Sequence, residues 1–223
     1  MTVGPGFRCA PPGLRRSVGL LGIASAVRLN AVVGALLLAA ALAACDSGPP
    51  KFKASDVTGT TYGRDFALTG HDGKPRTLAD FRGKVVVLFF GYTQCPDVCP
   101  TTLAELAEAM KQLGPDAERV QVLFATVDPE RDTAELLSRY VPAFNPTFLG
   151  LYGDAEATAR TAKEFKVIYQ KQPGREPGTY TMDHSAGTFV FDPQGRLRLY
   201  MSYGLGPDVF VHDIRELLRS TPK

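Results

Sequence analysis

The chain has 223 residues, 44% hydrophobic and 22% charged, with 25 basic side chains against 23 acidic ones and a formal charge of +2. Apolar content and mixed charge at these levels exclude a disordered chain, and so small a net charge excludes the basic footprint expected of a nucleic-acid-binding protein. Four cysteines and no tryptophan make the cysteine positions the feature to decode.

Before Cys45 there are four arginines, Arg8, Arg15, Arg16 and Arg28, and no acidic residue, and the stretch 31–44 reads AVVGALLLAAALAA. A basic leader running into a 14-residue apolar stretch is the layout of an export signal. The run falls short of the roughly 20 residues a spanning helix needs, although an uncleaved anchor is the alternative. Leu42-Ala43-Ala44-Cys45 resembles the lipobox of bacterial lipoproteins, in which the cysteine becomes the lipidated N-terminus. Arg15-Arg16, followed by Ser17, Val18 and Gly19, matches a twin-arginine signal poorly. Both readings place the remainder outside the cytoplasm, held at a bacterial plasma membrane and facing the periplasm or cell exterior. With the signal set aside, 21 basic side chains stand against 23 acidic ones, a charge of −2. Cys9 then belongs to the signal and Cys45 to lipid, which leaves Cys95 and Cys99 for the domain. Two cysteines four positions apart cannot frame a disulfide-rich scaffold, and a structural bridge across so short a loop would constrain the unfolded chain little.

The stretch from Asp46 to about Gly63 is rich in Gly, Pro, Ser, Thr and Lys without apolar period, and reads as a tether. The organisation expected is a lipoprotein-type signal over 1–44, a lipid-anchored flexible linker over 45–60 and a single domain over 61–223. Phe66-Ala67-Leu68, the turn His71-Asp72-Gly73 and Thr77-Leu78 predict a small N-terminal hairpin. Residues 85–90, VVVLFF, form the continuous apolar run of a strand buried on both faces. Leu103, Leu106, Met110 and Leu113 recur at helical spacing and stop at Gly114-Pro115. A second buried strand follows over 120–127, then helices over 133–141 and 155–165. Strands over 188–191 and 197–203 flank the turn Asp192-Pro193-Gln194-Gly195, and Phe210, Ile214, Leu217 and Leu218 mark a closing helix. The order β, βαβα, helix, ββα predicts an α/β domain of thioredoxin-like arrangement, with a central mixed sheet flanked by helices and an N-terminal β-hairpin. Its reactive corner lies where the first central strand ends and a helix begins.

Both thiols fall in that corner, in Gly91-Tyr92-Thr93-Gln94-Cys95-Pro96-Asp97-Val98-Cys99-Pro100. Unpaired N–H groups and the partial positive charge of a helix N-terminus favour thiolates, and Pro96 and Pro100 suit a first turn. Three residues between the cysteines put the sulfurs at i and i+4, able to converge on one ion. A structural zinc site would need a second ligand pair, which is absent. Thioredoxins proper have two residues between the cysteines and a tryptophan before them. Among the three histidines, His71 is expected in a surface turn and His212 on the polar side of the last helix, both solvated. His184, in a loop entering the strand over 188–191, is aimed at the cysteines and is the candidate third ligand. Two soft thiolates and an imidazole make an open set that favours copper or zinc, with Cu(I) content at three-coordination.

GYTQCPDVCP, with Asp183-His184-Ser185 about 85 positions later, resembles the signature of the Sco/SenC copper proteins that assemble the CuA centre of cytochrome c oxidase. Val127-Asp128-Pro129-Glu130-Arg131-Asp132-Thr133 resembles another stretch of that family, and the similarity spans 61–220. The resemblance implies Cys95, Cys99 and His184 as ligands of Cu(I) and Cu(II), a reversible disulfide between the cysteines, and delivery of copper to cytochrome c oxidase subunit II. Expected partners are that subunit, another copper chaperone, a thioredoxin-like reductant and, through lipid, the membrane. Asp183 is a candidate to orient His184 or to cap a turn, and Asp128 to tune transfer or to cap the following helix. Two other functions use the same residues. A thiol–disulfide oxidoreductase would need the cysteines and could dispense with His184, and a copper or redox sensor would act without serving the oxidase. A peroxidase is disfavoured by the missing tryptophan.

Overall fold

A computed structural model describes residues 50–220 together with Met1. The signal expected over 1–44 and the lipidation site Cys45 lie outside the described residues. The chain divides into Met1–Gly48 and Pro49–Lys223, and the second unit carries the fold.

The elements run β1 (Ser55–Asp56), β2 (Leu68–Gly70), β3 (Pro75–Arg76), β4 (Val85–Gly91), α1 (Val98–Leu113), β5 (Val120–Thr126), α2 (Ala134–Tyr140) and β6 (Leu149–Tyr152). They continue with α3 (Ala155–Glu164), β7 (Tyr169–Pro173), β8 (Tyr180–His184), β9 (Thr188–Phe191), β10 (Leu197–Met201) and α4 (Pro207–Ser220). Eight strands form one mixed sheet in the order β1-β10-β9-β4-β5-β6-β2-β3, and β7 with β8 makes a separate ribbon. Every residue of β4 is buried, as its unbroken apolar run requires. It pairs parallel with β5 and antiparallel with β9, from Val86 opposite Phe191 to Phe89 opposite Thr188. α1 and α4 pack together, and α4 also meets β4. Phe90, Phe165 and Phe189 lie within 6 Å of one another in the core, at centroid separations of 5.2 to 5.9 Å. Buried aromatic rings in these tilted and edge-on arrangements anchor the sheet whose end carries the site.

The predicted central strands, helices and closing hairpin all form, with ends shifted by a residue or two. The N-terminal hairpin forms closer to its turn than expected, over β2 and β3, and Phe66 enters the core without joining a strand. Two features had no sequence forecast. β6 is a four-residue strand that pairs with β5 and β2, and Gly150 interrupts its apolar pattern. A Cβ at Gly150 would sit 3.1 Å from Leu137 of α2, so glycine lets that helix lie close on the strand. The ribbon is polar along most of both strands, with Met182 its single fully buried residue, so no period-2 apolar signal marks it.

The linker expected over 45–60 becomes a strap from Phe52 onward. β1 pairs with β10, and Phe52, Ala54 and Val57 pack on the core. The backbone N–H groups of Lys53 and Ala54 donate to Asp213 at 2.9 and 2.8 Å. That carboxylate is fully buried, and the strap supplies donors to satisfy it.

Candidate metal centre

β4 ends at Gly91 directly beneath the first turn of α1. A Cβ there would lie 2.8 Å from the sulfur of Cys99 and 2.8 Å from a ring carbon of Phe124. Absence of a side chain at Gly91 therefore lets the helix start descend onto the strand end. Cys99 is the second residue of α1 and fully buried, whereas Cys95 lies half-buried in the preceding loop. The Cys99 N–H, one of the donors a helix start leaves unpaired, points at Cys95 Sγ across 3.4 Å. Asp97, at the N-cap position, makes no capping hydrogen bond. The loop is held from the other side by buried Asp132. Its carboxylate accepts from the Thr93 N–H at 3.0 Å, from Thr93 Oγ1 at 2.6 Å and from Thr126 Oγ1 at 2.6 Å.

His184 ends β8 rather than lying in a loop, paired with Tyr169. Its Nδ1 is 3.0 Å from the Ser185 carbonyl oxygen. A carbonyl can only accept, so Nδ1 carries the hydrogen and Nε2 presents a bare lone pair. That lone pair faces Cys99 Sγ at 3.5 Å. The imidazole is wedged edge-on between the rings of Tyr92 and Phe89, at 5.9 and 6.3 Å. Donor atoms of Cys95, Cys99 and His184 all lie within 4.8 Å of one another, and among the described residues this is the group of Cys, His and carboxylate side chains with metal-site geometry. Both thiols are free. Cys95 and His184 line an open depression of about 420 Å³ with Tyr92, Pro96, Met182 and Ala186.

Residues 55–219 match the SCO1/SenC family. The chain belongs to that family. It is 38% identical to a solved structure of Bradyrhizobium japonicum ScoI with copper bound, over 70% of this chain and 99% of that one, at a TM-score of 0.65. The apo Sco1 protein of Thermus thermophilus is 48% identical over 75% of this chain and 97% of its own, at a TM-score of 0.67. The mouse mitochondrial SCO2 homolog is 40% identical over 153 residues, which are 68% of this chain and 60% of that protein. The chain thus spans less than two thirds of that curated relative. The fold is the thioredoxin-like fold of Sco proteins, as the element order predicts.

In this Sco/SenC domain, burial sets the protonation of Cys99 and His184. It pushes the Cys99 thiol far up, and the neighbouring Cys95 adds to the rise, while a backbone hydrogen bond from Tyr92 opposes it. The expectation that the helix start holds a thiolate is corrected here, because desolvation outweighs the helix charge at Cys99. A bound cation would reverse that balance by supplying the missing positive charge. Burial also lowers the His184 pKa, against the Ser185 hydrogen bond and the Asp183 charge. The ring is accordingly neutral near pH 7, the form that ligates metals.

The other candidates fall elsewhere. His71 is half-buried and accepts from the Gly150 N–H at 3.0 Å, so it supports β6 instead of standing free in water. His212 is half-buried beside Asp213, 2.7 Å away. Asp183 is exposed and reaches His184 through charge alone, and the Ser185 carbonyl orients the ring. Asp128 is buried and does not cap α2, a role taken by Thr133. Its carboxylate accepts from Tyr180 OH at 2.8 Å and from Arg131 Nε at 2.5 Å. Sequence reasoning did not single out Gly91, Thr93, Arg131, Asp132 or Tyr180. The 127–133 run pointed at two of them, whereas nothing local marks Tyr180.

Proposed function

We propose that this domain is a lipid-tethered copper metallochaperone that carries copper on Cys95, Cys99 and His184 and delivers it to the CuA site of cytochrome c oxidase subunit II. The carrying observation is the convergence of two free thiols and one neutral imidazole within 4.8 Å, with Cys95 and His184 lining an open depression and Cys99 buried beside them. Soft sulfur donors with a single imidazole suit Cu(I) in three-coordination, and Cu(II) takes a further ligand. Binding the ion releases the two thiol protons, and the ion's charge compensates the buried Cys99 thiolate. Half-exposed Cys95 is where an incoming thiolate of the receiving subunit replaces a ligand, so copper passes by stepwise exchange without being freed. The copper-bound ScoI relative supports the cargo assignment. A lipid anchor at Cys45 would hold the domain at the outer face of the bacterial plasma membrane. Another copper chaperone would load it, and a thioredoxin-like reductant would restore oxidised thiols.

Titrating the reduced chain with Cu(I) tests this reading. About one copper per chain is expected, lost in Cys95→Ala, Cys99→Ala and His184→Ala, and stoichiometric binding that survives Cys95→Ala overturns the site. A second reading rests on the neighbouring free sulfurs. Cys95 would attack a disulfide of the receiving subunit, and Cys99 would resolve the mixed disulfide, releasing two reduced thiols and leaving this pair oxidised. His184→Ala and Cys99→Ala compared in an oxidase-maturation assay separate the two, because the reductase needs no histidine. Membrane fractionation of Cys45→Ala checks the anchor, which should leave the domain soluble.

A further inference from the structure

We propose that Arg131 is a positioning residue that latches the β7–β8 ribbon, and His184 with it, onto the cysteine corner, and so sets how long the site keeps its metal. The residence-time part rests on the copper reading above, and the latch itself does not.

The ribbon shares no ladder with the main sheet, and Met182 is its only fully buried residue, with Tyr169 and Tyr180 partly packed against the core. At its base the Ser185 N–H donates to the Ile168 carbonyl at 2.9 Å and the Ile168 N–H donates to Ser185 Oγ at 3.1 Å, a hinge-like base beside the His184–Tyr169 pair. Further out, the guanidinium of Arg131 joins three parts of the molecule. Its Nε donates to buried Asp128 at 2.5 Å, and its Nη1 donates to Gln94 Oε1 at 3.0 Å and to the Tyr180 carbonyl at 2.9 Å. Gln94 precedes Cys95, and Tyr180 opens the strand that ends at His184. The guanidinium also lies 3.5 Å from the centroid of the Tyr180 ring, whose hydroxyl donates to the same Asp128. Lys171 of β7 adds an ion pair with Glu130 at 2.5 Å.

The turn after β5 therefore holds both halves of the site. Asp132 grips the cysteine loop through Thr93, and Asp128 with Arg131 grips the histidine ribbon through Tyr180. A planar fork that donates in several directions while stacking on a ring does this, and an ammonium group cannot. A ribbon freed at Tyr180 pivots about its base, and a tilt of about 10–20° is enough to take a ligand out of productive geometry.

Arg131→Leu would leave Asp128 as a buried, unpaired charge and risks unfolding the domain, so Arg131→Lys and Tyr180→Phe are the variants of choice. On the reduced, metal-free chain, amide hydrogen exchange should quicken on the order of tenfold across 169–173 and 180–184 in Arg131→Lys. The effect should be smaller in Tyr180→Phe, with β4 and β5 unchanged in both. Cu(I) loss to a competing chelator should quicken in the same order. Unchanged ribbon exchange in both variants, protection lost equally from β4 and β5, or faster ribbon exchange with wild-type copper release each overturns the proposal. If the wild-type chain holds no copper, the copper reading fails, and the exchange measurement still judges the latch.

Discussion

Gly91→Ala adds one methyl group where β4 passes under the start of α1. The backbone there is not in the left-handed region, so alanine meets no conformational strain and the cost is steric. The new carbon would stand 2.8 Å from Cys99 Sγ, 2.8 Å from Phe124 and 3.0 Å from Phe89. All three side chains are fully buried, so none can swing into solvent. Forcing a methyl into such a core costs about 1–3 kcal/mol, and stiffening the unfolded chain returns about 0.4–1 kcal/mol. A net loss of about 1.3 kcal/mol corresponds to a melting temperature lower by about 3–5 °C for a domain of this size. Because the Cys99 sulfur is among the atoms that must yield, Cu(I) affinity should fall by about tenfold as well. Thermal unfolding of the reduced, metal-free chain and Cu(I) competition titration measure the two effects. Wild-type melting together with wild-type affinity would refute the close-approach argument. Lower stability with unchanged affinity would show that the rings, and not the sulfur, give way.

Stability should fall between about pH 7.5 and about pH 5.5. Burial lowers the pKa of His71 and of His184, so the unfolded chain takes up protons first as the pH drops through the ordinary imidazole range. Both contributions are full above that range and are lost below it. Urea midpoints at the two pH values check this, and His71→Asn, which keeps an acceptor for Gly150, should reduce the fall. In the metal-free reduced chain, iodoacetamide should modify half-exposed Cys95 faster than Cys99 by on the order of tenfold or more, since burial both covers the Cys99 thiol and keeps it protonated. Peptide mass mapping over time reads the order, and equal rates would contradict the burial. Asp213→Ala removes the acceptor of the Lys53 and Ala54 N–H groups and should expose the Lys53–Ala54 bond to trypsin under native conditions. Resistance equal to wild type would show that β1 holds the strap alone.

Much of the fold was legible because its central elements bury their own patterns. A strand covered on both faces must be apolar throughout, as 85–90 is, and α1 must repeat apolar residues at helical spacing to lie on the sheet. Elements that failed to announce themselves take their stability from partners distant in the chain. β6 is four residues with a glycine inside, β1 is two residues paired with a strand over 140 positions later, and the ribbon is polar on most positions. Local composition therefore read the strap at 52–60 as a tether, although a buried aspartate near the far end of the chain holds it.

The candidate site divides in the same way. Residue chemistry and spacing by themselves determined that Cys95 and Cys99 share a corner and that an open, soft, sulfur-rich site results, because both thiols lie within one short segment between strand and helix. Tertiary structure decided the rest. It set His184, already singled out in the sequence, at a strand end 3.5 Å from the Cys99 sulfur, fixed its tautomer through the Ser185 carbonyl, and kept the Cys99 thiol protonated through burial. It also assigned Asp128 to Arg131 and Tyr180 instead of to a helix cap. Protonation and orientation depend on desolvation and on partners both adjacent and distant, Ser185 beside His184 but Tyr180 and Cys99 52 and 85 positions from the groups they meet, and a linear sequence does not state which distant groups a fold will bring together.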